Sequence, residues 1–152
     1  MAPGMGPGGN DGAGVPGGMT GTAANRFAVL VVDDDPVLRD LVADLLREHG
    51  YRVETAANGI EAIRAARRSR PDLVLMDCEM PQLDGLAATR EIRSLPGRPV
   101  PVVMVSSRDD AATREAARAA GIEHYLVKPV SPSALQAVVA AQAAARPRDG
   151  TR

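Results

Sequence analysis

The stretch Val29-Leu30-Val31-Val32-Asp33-Asp34-Asp35-Pro36 decides the reading of the fold. Its four aliphatic residues run without polar alternation, as a strand buried on both faces does, and the run stops abruptly on carboxylates. Three further runs end the same way: Leu73-Val74-Leu75-Met76 in Asp77, Val102-Val103-Met104-Val105 in Ser106, and Tyr125-Leu126-Val127 in Lys128. Strand and helix signals alternate from Phe27 onward, which predicts an α/β fold with a doubly wound parallel sheet covered by helices on both sides. Parallel strands would bring the ends of all four runs to one edge. There Asp33, Asp34, Asp77, Ser106 and Lys128 would meet, at the edge where open α/β sheets bind ligands.

The helices are read from caps and periodicity. Asp35 can cap the first, Pro36 suits its first turn, and Val37, Leu38, Leu41, Val42, Leu45 and Leu46 make an apolar stripe expected to face inward, stopped by Gly50. Tyr51 to Ala56 reads as a second strand. Asn58 to Ser69 reads as a helix with Ile60, Ile63 and Ala66 inward, ended by Pro71. The loop Cys78-Glu79-Met80-Pro81-Gln82-Leu83-Asp84-Gly85 leads into a helix from Gly85 to Ser94. Asp109 or Asp110 can cap the next helix, through Ala120, whose inward face is mostly alanine and is expected to be weakly held. Ile122 to Val127 forms the fifth strand. Ser131 and Pro132 then open a last helix with Leu135, Val138 and Val139 inward.

Composition narrows the function. The 152-residue chain carries 18 Lys plus Arg against 19 Asp plus Glu, so no broad attraction to nucleic acid or to an anionic membrane is indicated, and neither direct DNA binding nor membrane insertion is expected. Residues 1–26 are rich in glycine and proline, with Val15 their only large aliphatic residue, and are predicted to be disordered. They lack the features of a secretory signal, and no apolar stretch approaches the roughly 20 residues that span a bilayer. A soluble, cytoplasmic protein is expected, with one domain over 27–144, no separate output domain, and a flexible tail over 145–152. Cys78 is the single cysteine, which excludes an internal disulfide and a multi-thiolate metal site. Arg67, Arg68 and Arg70 cluster at a predicted helix C-terminus, which favours cations. His49 and His124 read as structural residues. No basic neighbour in sequence marks Cys78 as a redox sensor.

The strand ends suit Mg²⁺ and a phosphoryl group. Mg²⁺ takes oxygen ligands and uses one or two carboxylates with waters and a phosphate oxygen, which Asp33, Asp34 and Asp77 can supply. Asp35 is better explained as the helix cap. Asp77 is the candidate nucleophile, since a carboxylate is ionised at neutral pH and attacks phosphorus without a general base. Phosphoryl transfer then needs positioning and neutralisation of the oxygens, for which Ser106 and Lys128 stand ready.

These residues match a known pattern. From Phe27 to about Ala144 the chain resembles the receiver domains (CheY-like) of two-component response regulators, of the stand-alone type. The match lies in V-V-D-D at Val31 to Asp34, M-D-x-x-M-P-x-x-D-G at Met76 to Gly85, S-S at Ser106 and Ser107, and K-P at Lys128 and Pro129. The resemblance implies a flavodoxin-like, five-stranded parallel sheet of order 2-1-3-4-5 flanked by five helices. It implies that Asp77 accepts a phosphoryl group from a phosphohistidine on a sensor histidine kinase or histidine phosphotransfer protein. Mg²⁺ would be bound by Asp33, Asp34, Asp77 and the Glu79 backbone carbonyl. Ser106 and Tyr125 would switch with phosphorylation, the Lys128–Pro129 bond would be cis, and a downstream protein would be met through the fourth helix, fifth strand and last helix. Such a domain catalyses only its own phosphorylation and dephosphorylation and is not an enzyme in the ordinary sense.

Two other readings compete. A metal-dependent phosphohydrolase would also use an aspartyl nucleophile, but Pro36 and Val37 stand where its motif needs other residues; a receiver-like docking module that is never phosphorylated would not need an intact site. A nucleotide-binding domain is weaker, because no glycine-rich loop follows the first strand. Glu79 and Arg108 follow Asp77 and Ser106 by two positions each. They are expected to flank the phosphate as modulators, and an ion pair between them would obstruct attacking water.

Overall fold

The computed structural model describes residues 27–80 and 83–146. The segment 1–26, and positions 147–152 of the expected tail, lie outside the described residues. Five strands and five helices alternate: β1 (Ala28–Val32), α1 (Pro36–Glu48), β2 (Arg52–Ala56), α2 (Gly59–Ser69), β3 (Leu73–Asp77), α3 (Gly85–Arg93), β4 (Val102–Ser106), α4 (Ala111–Ala119), β5 (His124–Val127) and α5 (Pro132–Ala145). All strand pairs are parallel and the spatial order is β2-β1-β3-β4-β5, the expected 2-1-3-4-5.

The period of two along each strand divides the core into two layers. Leu30, Val32, Val74, Met76, Val102 and Met104 point to the face covered by α2, α3 and α4. Val29, Val31, Leu73, Leu75 and Val103 point to the opposite face, against Leu46 of α1 and Leu135 and Val139 of α5. Burial on both faces accounts for the lack of polar alternation in β1, β3 and β4.

The caps fall where short polar side chains stand. Asp35 accepts from the backbone of Val37 and Leu38, Asn58 from Glu61, Asp84 from Ala87, Asp110 from Thr113 and Ser131 from Ala134. The choice between Asp109 and Asp110 goes to Asp110, while Asp109 pairs with Arg114 at 2.6 Å. The basic cluster at the end of α2 divides as well: Arg68 pairs with Glu54, and Arg70 takes a left-handed conformation with φ 51° at the helix end. On α4 only Ala117 is buried within the helix, in line with its thin alanine face.

Two expectations about helix faces need correction. Val37 and Leu41 are 66% and 60% exposed and Leu38 is 42% exposed, although the stripe was expected to face the core. At ~100° per residue the apolar residues of α1 cover about half its circumference, and the sheet covers only the side marked by Val42, Ala43 and Leu46. Ile60, in the first turn of α2, is likewise 44% exposed, while Ala62, Ala65 and Ala66 are buried. At the C-terminus α5 runs through Ala145, and Arg146 pairs with Asp72 at 3.2 Å. Asp72 also accepts from the Ala28 backbone and pairs with Arg98, so it ties the start of β1 to the end of the last helix.

Candidate functional site

The sheet register sets the site. Val32 is level with Met76, Asp77 with Val105, and Ser106 with Val127, so Asp33, Asp77, Ser106 and Lys128 reach the same edge. One oxygen from each of Asp33, Asp34 and Asp77 lies within 4.8 Å of the others. Asp35 is outside this group because its carboxylate caps α1. The cluster is graded in exposure: Asp77 is buried at 2% exposure, Asp33 is half-buried and Asp34 is open to solvent. A hard divalent cation with several waters fits such a donor set, since it needs oxygen ligands and an open side.

Lys128 Nζ donates to Asp77 Oδ1 at 3.0 Å. The Lys128–Pro129 peptide is cis, and the Lys128 backbone N–H donates to the Ser106 carbonyl at 2.8 Å. Burial pushes the Asp77 carboxyl up to about 6; the hydrogen bond from Lys128 opposes this, and the negative charge of Asp33 adds to it. Burial works against the Lys128 ammonium, yet its hydrogen bond to Asp77 and the charges of Asp77, Asp33 and Glu79 hold its pKa above the ordinary lysine value. Asp77 is therefore mostly ionised at neutral pH. It is also poorly solvated, a state that favours both a cation and reaction at its oxygen.

Two loops surround the carboxylates. In the loop after β1, Asp33 Oδ1 accepts from the Asp35 backbone at 2.9 Å, and Arg39 of α1 donates to the Asp33 carbonyl at 3.0 Å. In the loop after β3, the Glu79 N–H donates to Asp77 Oδ1 at 3.2 Å. Gly85 is required there, because a Cβ at that position would lie 2.4 Å from the Asp77 carbonyl oxygen.

Glu79 and Arg108 do not pair with each other among the described residues. The Glu79 carboxylate instead accepts from Ser106 Oγ, and from the Ser107 N–H and Oγ at 3.1 Å each. Burial raises its pKa, but these hydrogen bonds outweigh that and hold it below the usual carboxylate value. The Ser106 hydroxyl at the end of β4 and the Ser107 N–H just beyond it hold the Glu79 carboxylate in place of the exposed Arg108 side chain.

Tyr125 is half-buried on β5. Its hydroxyl donates to the Arg108 carbonyl at 2.8 Å, and the Arg114 guanidinium lies 4.6 Å from its ring centroid. Neither Arg39 nor Arg114 is evident as a site residue in the sequence. Arg39 offers only its spacing from Asp33, and Arg114 meets Tyr125 from a different element. Cys78 is half-buried, and burial followed by the charge of Glu79 pushes its thiol up, against a reactive thiolate. His49 Nδ1–H donates to the Leu45 carbonyl at 2.9 Å at the end of α1, and His124 sits exposed on β5.

Comparison with known proteins agrees with this geometry. The response regulator MprA of Mycobacterium sp. (strain KMS) is 42% identical over 101 residues, which is 66% of this chain and 44% of that protein, so the chain spans less than half of this relative's length. The receiver domain of the sensor histidine kinase PA1611 from Pseudomonas aeruginosa PAO1, crystallised with a magnesium ion coordinated in its active site cleft, is 40% identical. It superposes with a TM-score of 0.72 over 78% of this chain and 98% of that domain. The chemotaxis protein CheY4 of Vibrio cholerae is 30% identical, with a TM-score of 0.70 over 76% of this chain and 97% of that protein. The family profile of the response regulator receiver domain matches residues 29–140, and this chain belongs to that family of two-component signalling domains.

Proposed function

We propose that the chain is a phosphorylation switch in which Asp77 takes a phosphoryl group from a phosphohistidine. The observation that carries the proposal is the setting of Asp77: buried, 3.0 Å from the Lys128 ammonium, and within 4.8 Å of two further carboxylates that can hold a cation. Asp33, Asp34, Asp77 and the Glu79 backbone carbonyl would hold Mg²⁺, which supplies charge neutralisation of a phosphoryl oxygen when bound. The Asp77 carboxylate oxygen attacks phosphorus as the bond to the imidazole nitrogen breaks. The electron pair returns to the imidazole, which takes up a proton. Lys128 turns from the Asp77 carboxylate to a phosphoryl oxygen, and the Ser106 hydroxyl neutralises another.

The donor's approach is marked by exposed apolar groups. Val37, Leu38, Leu41 and Ile60 are the exposed large hydrophobic residues among the described ones, and they stand within the first two turns of the helices that follow β1 and β2, on the side of the acidic edge. A sensor kinase or phosphotransfer protein that presents its phosphohistidine on a helix would seat an apolar face there. The signal would leave to a downstream protein through α4, β5 and α5, where Tyr125 and Arg114 lie. No helix among the described residues is long and apolar enough to cross a membrane, which accords with a cytoplasmic place of action.

A stoichiometric test separates this reading from a phosphohydrolase. With acetyl phosphate and Mg²⁺, intact mass should show at most one added phosphoryl group per chain, formed once and slowly lost. Rapid, sustained phosphate release from small phosphate esters would contradict it.

A further inference from the structure

The Glu79 side chain bridges the loop after β3 to the end of β4 and the loop that follows it. Its Oε2 accepts a hydrogen bond from the Ser106 hydroxyl, and its Oε1 accepts from the Ser107 N–H and hydroxyl at 3.1 Å each. Ser106 Oγ in turn accepts from the Arg108 N–H at 3.0 Å, so the hydroxyl is held on both sides. A serine hydroxyl has one hydrogen to donate. While Glu79 holds it, none is left for an oxygen on Asp77. The Ser107 N–H, the next donor along the same loop, is held by the same carboxylate. Glu79 is also fixed to the acceptor itself, through its backbone N–H to Asp77 Oδ1 at 3.2 Å.

We propose that the Glu79 carboxylate is a positioning residue that keeps Ser106 and Ser107 in an unengaged arrangement and competes with the phosphoryl group for their donors. The inference rests on the reading of Asp77 as phosphoacceptor and concerns the regulation of that same site. A phosphoryl group on Asp77 places negative charge beside the Glu79 carboxylate, which is repelled. Ser106 Oγ and the Ser107 N–H then exchange one anionic acceptor for another. The exchange makes engagement less favourable than it would be with an unheld hydroxyl, and Glu79 thereby sets the balance between the two arrangements. The backbone carbonyl of Glu79 is unchanged by substitution of its side chain, so any cation it holds is kept.

The test is a double-mutant cycle on the full chain with Mg²⁺ and beryllium trifluoride, a phosphoryl analogue that adds to carboxylates, with affinity read by calorimetry. Thermal unfolding in EDTA reports that each variant is folded. Glu79→Ala should bind the analogue about tenfold more tightly than the wild type. Glu79→Gln, which keeps an acceptor but not the charge, should fall between them. In a Ser106→Ala background the gain from Glu79→Ala should shrink to about twofold or less. Unchanged affinity in Glu79→Ala would overturn the proposal, and so would a gain of equal size without the Ser106 hydroxyl, which would make Glu79 a source of charge only. Failure of the wild-type chain to bind the analogue at all would overturn the phosphoacceptor reading, and this inference with it.

Discussion

Lys128 Nζ meets Asp77 Oδ1 at 3.0 Å across β4, which lies between the strands that carry them. The ammonium is the nearest charge that opposes burial of the Asp77 carboxylate, and burial still wins, leaving the carboxyl at about 6. Loss of the ammonium would leave burial and Asp33 opposed by the Glu79 N–H hydrogen bond. In Lys128→Met the titration midpoint of Asp77 should move up by about one pH unit or more, as followed by carboxyl carbon NMR of the metal-free protein. A midpoint at or below the wild-type value would show that Lys128 does not stabilise the ionised form.

The raised pKa fixes the direction of pH dependence. Folded Asp77 holds its proton up to about 6, whereas the unfolded carboxyl releases it near its ordinary value of 3.8. The folded state thus binds more protons between those values. The stability that this group contributes is fully present below the lower value and is lost as pH rises through about 6, by on the order of 2 kcal/mol after allowance for screening. Denaturant unfolding of the metal-free wild type and of Asp77→Asn, compared from pH 4.5 to 7.5, isolates this group. The wild type should lose stability relative to the variant as pH rises.

Cation binding should run the other way. Mg²⁺ requires the ionised carboxylate, so its affinity should fall by about tenfold per pH unit below 6 and level off above 7. Calorimetric titration at pH 5, 6 and 7.5 measures it, and a flat profile would remove Asp77 from the ligand set.

The strand ends were legible because each apolar run stops at a residue that the register then places beside the others, as Val32 with Met76 and Ser106 with Val127 show. The cap role of Asp35 was legible too, since Pro36 follows it. The exposure of Val37 and Leu41 was not, because helical periodicity gives the apolar arc and says nothing of how much of it the sheet covers. The partners of Glu79 were also hidden. Ser106 lies 27 positions away, and whether it or Arg108 takes the carboxylate depends on side-chain geometry across two loops. The stacking of Arg114 on Tyr125 has no sequence signal, for the same reason.

That stacking should hold Tyr125 in place. Arg114→Ala removes the cation from the ring together with its exposed ion pair to Asp109, and leaves the hydroxyl bond to the Arg108 carbonyl; the partly exposed cation–π contact itself accounts for about 0.5–1 kcal/mol. Tyr125 ring signals in NMR should broaden or average in the unphosphorylated variant. Unaltered ring signals would show that the guanidinium does not constrain the side chain.

The exposed apolar side chains of α1 should matter for the donor and not for the chemistry. Leu41→Asp places a charge at a 60% exposed position, so folding should change little. Phosphorylation by acetyl phosphate should keep its rate, while transfer from a phosphohistidine protein slows by about tenfold or more. Equal slowing with both donors would place the effect at the site instead of at a docking surface.

Peptide mass mapping after reaction with acetyl phosphate and Mg²⁺ decides whether Asp77 itself is the acceptor. The wild-type chain should carry one hydroxylamine-labile phosphoryl group on the peptide containing Asp77, and Asp77→Asn should carry none. Labelling of Asp77→Asn to the wild-type extent, or a label mapped to another residue, would remove Asp77 as the phosphoacceptor.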